Sequence, residues 1–111
     1  MLGSIYNSDN PNRAISFYKK AIKFNRRYYN AFLGLGNCYL KLKNYILANK
    51  YYSEAININP IRYTLIYKNR AIARIQLNDK IGAKSDLNIY LKQMNHIDDA
   101  SIVQDILKEL D

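Results

Sequence analysis

Residues 32–39 read Phe32-Leu33-Gly34-Leu35-Gly36-Asn37-Cys38-Tyr39, and Tyr45, Ala48, Tyr52, Ala55 and Pro60 follow. Phe32, Leu35, Cys38, Tyr39 and Leu42 recur at the three- and four-residue steps of one helix face, so 30–42 is predicted to be helical. A second stripe, Ala48, Tyr51, Tyr52, Ala55, Ile56 and Ile58, predicts a helix over 46–58. Asn59-Pro60 ends it, because a residue before proline avoids the αR region.

The same pattern recurs along the chain. At a shift of 34 residues Ala14 falls on Ala48, Phe17 on Tyr51, Tyr18 on Tyr52, Ala21 on Ala55, Ile22 on Ile56 and Asn25 on Asn59. At a shift of 35, Ala83 takes the place of Ala48. Upstream, Ala14, Ile15, Phe17, Tyr18, Ala21, Ile22 and Phe24 form a helical stripe, with Asn10 as N-cap and Pro11 at the first helical position. Further helices are expected over 65–77 and, after Asn78-Asp79, over 80–93. Strand-like alternation is absent. The fold class is therefore all-α, built from antiparallel helix-turn-helix units.

Both ends depart from the repeat. Over 98–110, Ile102, Val103, Ile106, Leu107 and Leu110 fall on one side of a helix that Asp98 can cap. An amphipathic last helix covers the apolar face that a repeat array exposes at its end, so 98–111 is expected to be a capping helix. Leu2-Gly3 lies almost where Leu35-Gly36 lies one copy later, so residues 1–28 are expected to be a partial first repeat of a longer array. The full copy is assigned to 29–63 and a divergent one to 64–97, where Tyr90 replaces an expected alanine and no proline follows.

The bulky residue, Leu-Gly, Tyr, then Ala, aromatic, Ala and Pro of 32–60 closely resemble the tetratricopeptide signature. The resemblance extends over 1–97 and implies a right-handed solenoid of stacked helix pairs that acts as a protein-interaction scaffold without chemistry of its own. Asn37 and Asn69 look like the two asparagines of co-chaperone tetratricopeptide domains, which grip acidic C-terminal tails in a carboxylate clamp. The clamp fails elsewhere: Leu33, Asp99 and Val103 stand where its basic residues belong, and neither leucine nor aspartate binds a carboxylate. Arg27 to Phe32, the Gly34-to-Asn37 segment and Ile58-Asn59-Pro60 also resemble a repeat junction in scaffold subunits of the anaphase-promoting complex.

Composition narrows the functional classes. The chain has 111 residues, 49% hydrophobic and with a net charge of +8, enough apolar content for a real core. No apolar run reaches the roughly 20 residues of a membrane span, and residues 1–6 lack the pattern of a secretory signal. One cysteine, Cys38, rules out an internal disulfide framework and suits a cytoplasmic or nuclear setting. Residues 1–50 carry nine basic residues against Asp9, whereas residues 51–111 carry eight of each sign, so the basic half suits an acidic partner.

Catalytic readings find little footing. His96, the only histidine, falls in an expected loop without partners at metal or acid–base spacing. Cys38 falls on a helix face and reads as a small core residue. Gly34-Leu35-Gly36 lacks the strand and the Gly-Lys-Ser/Thr ending of a phosphate loop. No enzyme activity, metal or cofactor is expected. The eleven tyrosines beside Lys19, Lys20, Lys23, Arg26 and Arg27 suggest base stacking, but most occupy repeat core positions, which favours packing.

The first helix of each pair in such a stack lines the concave side. The expected groove residues are Asn30, Leu33, Asn37, Leu40 and Lys41 in one repeat and Lys68, Asn69, Ile72 and Ile75 in the next. Amides there suit peptide backbone, lysines suit acidic side chains, and the aliphatic residues suit apolar anchors. The alternatives are packing of these residues between repeats, a structural or self-associating piece of a longer array, and charge-driven nucleic-acid binding.

Overall fold

The computed structural model describes residues 10–93 and 99–111. Six helices account for most of them: α1 Pro11–Phe24, α2 Tyr29–Lys41, α3 Tyr45–Ile58, α4 Leu65–Gln76, α5 Lys80–Gln93 and α6 Ala100–Leu110. No strand occurs among the described residues. Each helix packs on the next, and α2 also touches α4, so the helices stack as an all-α repeat.

Local chemistry sets the boundaries. The Asn10 side chain accepts from the Arg13 N–H at 3.2 Å and Pro11 opens α1. Asn44 caps α3 by accepting from Leu47 N–H at 3.3 Å, and Asp79 accepts from Gly82 N–H at 2.9 Å at the head of α5. Asn59 stops α3 in an extended conformation before Pro60, whose carbonyl accepts from the Tyr67 hydroxyl at 2.8 Å. The α2–α3 and α4–α5 turns are three residues long, and at equivalent places Lys43 and Asn78 take left-handed conformations with φ of 62° and 61°.

The core follows the small and aromatic pattern. Ala14, Ala31, Ala48, Ala55, Ala71, Ala73 and Ala83 are fully buried, which lets the helix backbones come together. A Cβ built on Gly36 would lie 2.5 Å from Tyr52 Cδ1, and one built on Gly34 would strike the ring of Tyr18 on α1. Gly36 thus makes room for Tyr52 within the α2–α3 pair, and Gly34 admits Tyr18 from the preceding helix. Leu35 and Tyr52 have no exposed surface; burying a side chain of this size contributes roughly 1.5–3 kcal/mol. Tyr39 and Tyr51 stack at 5.6 Å and 9° where the two apolar clusters meet.

The α1 stripe is narrower than expected. Ala14 and Ile15 are buried and Tyr18, Ala21 and Ile22 half-buried, but Phe17 is 48% and Phe24 94% exposed. Phe24 is the last residue of α1. The C-terminal helix begins at Ala100, two residues later than expected. It buries Val103 and packs Ile106, Leu107 and Leu110 against the core, while Ile102 stays 60% exposed. The expected cap Asp98, together with His96 and the Leu2-Gly3 comparison, lies outside the described residues.

A buried charge cluster joins the divergent pair to α3. Asp86, without exposed surface, sits in the α5 stripe Ala83, Asp86, Leu87 and Tyr90. Arg70 donates to both its oxygens, Nε to Oδ2 at 2.9 Å and Nη2 to Oδ1 at 2.7 Å, and Arg74 Nη1 donates to Oδ2 at 3.0 Å. Arg70 Nη1 also reaches Ser53 Oγ at 3.1 Å, and Arg74 Nε reaches Asn49 Oδ1 at 3.2 Å.

Candidate peptide-binding groove

Because α2 and α4 lie side by side, residues a helical turn apart on each form one continuous surface. Asn37 is exposed on α2. Its Oδ1 accepts from the Tyr52 hydroxyl at 2.6 Å and receives Asn69 Nδ2 at 3.5 Å. Both contacts to Asn37 Oδ1 come from within the protein, so neither uses the Asn37 Nδ2 hydrogens or Asn69 Oδ1. One donor and one acceptor side by side match the needs of an extended peptide backbone. Burial pushes the Tyr52 hydroxyl above the ordinary tyrosine range, so it remains a donor to Asn37 at neutral pH.

Lys68 is not free in the groove. It forms an ion pair with Asp99, just before α6, and Asp99 also accepts from the Tyr90 hydroxyl at 3.0 Å. The Lys68 ammonium lies 5.7 Å from the Tyr90 ring centroid. The Asp99 hydrogen bond raises the Lys68 pKa, and the same bond from Lys68 lowers that of Asp99. Burial, reinforced by Asp99, raises Tyr90. Thus Lys68 holds α6 in place, and its charge is already balanced.

The remaining expected positions divide. Ile72 is 41% exposed on the same face as Asn69. Leu33, Leu40 and Ile75 are half-buried against the main core. Lys41 is exposed at the end of α2. Asn30 sits at the other end, against Arg27, Arg62 and Asn59, in a cavity between the α1–α2 and α3–α4 connections. Of the expected positions, the structure joins Asn37 and Asn69 by a hydrogen bond, with Tyr52 behind Asn37, while Lys68 pairs with Asp99. Tyr52 and Asp99 lie 15 and 31 positions away in sequence from the residues they hold, beyond any local pattern. Val103, the other position compared with a clamp, is buried.

Elsewhere, Cys38 is buried and in no disulfide, and burial pushes its thiol above its ordinary pKa, the opposite of an activated nucleophile. Among the described residues no group of three or more His, Cys, Asp or Glu side chains is arranged to hold a metal ion, and no helix is long and apolar enough to cross a membrane. Tyr29, Tyr52, Tyr67 and Tyr90 are buried, so their rings serve packing rather than base stacking.

Residues 29–61 match the family model for the tetratricopeptide repeat. That segment comprises α2, its turn, α3 and the first residues beyond, so the chain carries a tetratricopeptide repeat at the stretch where the residue pattern is clearest. A comparison with curated proteins returns no match.

Proposed function

We propose that this chain, with its tetratricopeptide repeat, is a non-catalytic protein-interaction module that binds a peptide segment or partner helix along the face of α2 and α4, as part of a larger assembly. The observation that carries this reading is the Asn37–Asn69 pair. Two amides meet across adjacent helices, one anchored from beneath by Tyr52, beside the exposed Ile72. They pair with peptide backbone, while Ile72 and the outer surfaces of Leu33, Leu40 and Ile75 take an apolar anchor. The balanced charge at Lys68 reduces the weight of an acidic group at that point, so backbone pairing and apolar contact dominate. The buried Cys38, in no disulfide, fits a reducing compartment, cytoplasm or nucleus.

The test is a pull-down from source-cell lysate with the native chain and an Asn69→Ala/Ile72→Asp variant. Asn37 is kept, since its loss would strand the Tyr52 hydroxyl. A partner recovered by the native chain and lost by the variant, with helicity unchanged, is the expected outcome. Equal recovery by both proteins would sink the groove assignment.

The exposed Phe17 and Phe24 on α1 support a second reading, a structural piece that stacks on further repeats or on itself. It predicts a mass in light scattering that rises with concentration and falls on Phe17→Ser/Phe24→Ser. A concentration-independent monomer would end the self-association form of it.

A further inference from the structure

We propose that the cavity between the α1–α2 and α3–α4 connections binds an oxyanion, a phosphate or carboxylate carried on a peptide partner. The cavity measures about 300 Å³, and no carboxylate lines it. Arg27 and Arg62 face it from the two connections, and the Asn30 and Asn59 amides complete the polar lining. Asn59 Oδ1 is occupied by the Ile61 N–H at 3.3 Å, which leaves the Asn59 Nδ2 hydrogens as the group to offer. Asn25 Oδ1 holds the Arg27 N–H at 3.0 Å and fixes the short loop that carries the guanidinium. The Arg62 Cζ lies 5.4 Å from the centroid of the Tyr29 ring, itself only 6% exposed. A guanidinium held against a ring keeps its N–H edge for a planar or tetrahedral oxyanion.

The protein's cations divide into those with a carboxylate partner and those without one among the described residues. Arg70, Arg74, Lys68 and Lys84 are paired with Asp86, Asp79, Asp99 and Asp111, whereas neither Arg27 nor Arg62 has a carboxylate partner among the described residues. Two guanidiniums that line one cavity without a carboxylate on its wall raise its positive potential, and an oxyanion between them is favoured by both. The strongly basic first half of the chain adds long-range attraction. The donors converge on one cavity instead of tracking along a surface, and the neighbouring Tyr29 ring is covered; both features fit one anionic group on a peptide better than a nucleic-acid strand. The inference rests on the reading of the chain as a peptide binder but concerns a different surface, so the two can fail separately.

The experiment is a ¹⁵N NMR titration of the chain with a phosphoserine hexapeptide, its glutamate and serine analogues, inorganic phosphate and a short single-stranded RNA. It is repeated with Arg62→Ala, Lys19→Ala/Lys20→Ala and the groove variant Asn69→Ala/Ile72→Asp. The expected result is that the phosphoserine peptide and inorganic phosphate shift the amides of 27–30 and 59–62, while the serine peptide does not. Arg62→Ala, at an exposed position, weakens phosphopeptide binding about tenfold. The lysine and groove variants stay within about twofold of the native chain, a difference of about 0.4 kcal/mol. Shifts with the glutamate peptide at these amides assign a carboxylate as a ligand; their absence restricts the site to phosphate. The proposal is overturned by equal shifts with the serine peptide, by unchanged binding in Arg62→Ala, by equal loss in the lysine variant, or by tighter binding of RNA at these amides.

Discussion

Replacing Asp86 by alanine removes the acid that two α4 arginines share. Asp86 accepts three charge-assisted hydrogen bonds, and its side chain is 1% exposed, against 12% for Arg70 and 20% for Arg74. After the substitution Arg74 keeps Asn49 and the Gly82 carbonyl at 3.2 and 3.4 Å, with the Asp79 carboxylate at 3.7 Å. Arg70 keeps Ser53 and the Tyr67 ring, 5.8 Å from its Cζ, so a nearly buried guanidinium is left without a counter-charge. Breaking a buried pair in this way costs about 3–5 kcal/mol, a large share of the roughly 5–15 kcal/mol by which a domain is stable. Urea unfolding followed by circular dichroism should show that loss, with Tm lowered on the order of 10–20 °C. The paired change Arg70→Met/Asp86→Leu should restore most of it, because apolar side chains of similar size need no counter-charge. A loss below about 1 kcal/mol for Asp86→Ala, or equal loss in the single and paired variants, would refute the reasoning.

Two further outcomes are expected. Gly36→Ala should destabilise by about 1–2 kcal/mol in urea melts: overpacking against Tyr52, which has no exposed surface, outweighs the roughly 1 kcal/mol gained by alanine in a helix. Gly34→Ala should cost less, because the new methyl meets the far end of the half-buried Tyr18 ring, which can turn outward; equal losses would show that both rings are fixed. The folded-state pKa of Asp99 is lowered by Lys68, so its contribution to docking α6 is present above the ordinary aspartate pKa, about 3.8, and is lost as pH falls through the lower folded value. Amide exchange of α6 should therefore accelerate in acid, and Asp99→Asn should raise exchange at neutral pH and flatten that part of the acid response; an unchanged response would count against the pair.

Helix positions were legible because capping and periodicity are local. Asn10-Pro11, Asn44 and Asn59-Pro60 act on backbone groups within three residues, and the alanine and glycine positions report close helix approach wherever they fall. The α1 stripe is wider in the sequence than in the fold, because periodicity marks which residues share a face but not how far a neighbouring helix covers it, as Phe17 and Phe24 show. Asp86 carried a usable signal, an acid within the i, i+3, i+4, i+7 stripe of α5 opposite Arg70 and Arg74 on α4, although sequence could not say that the three would meet.

By itself the sequence determined the all-α class, the helix-turn-helix repeat and the residues that close its hairpins, because each depends on interactions within one or two turns of chain. It also marked Asn37 on α2 and Asn69 on α4 as candidate groove residues. Tertiary structure alone decided which side chains remain free. It drew Lys68 to Asp99 across 31 residues, anchored Asn37 on Tyr52, sank Asp86 between two arginines and left Arg27 beside Arg62 without a carboxylate. The physical reason is that charge pairing and burial depend on distances of a few ångströms between helices, which the order of residues along one helix does not contain.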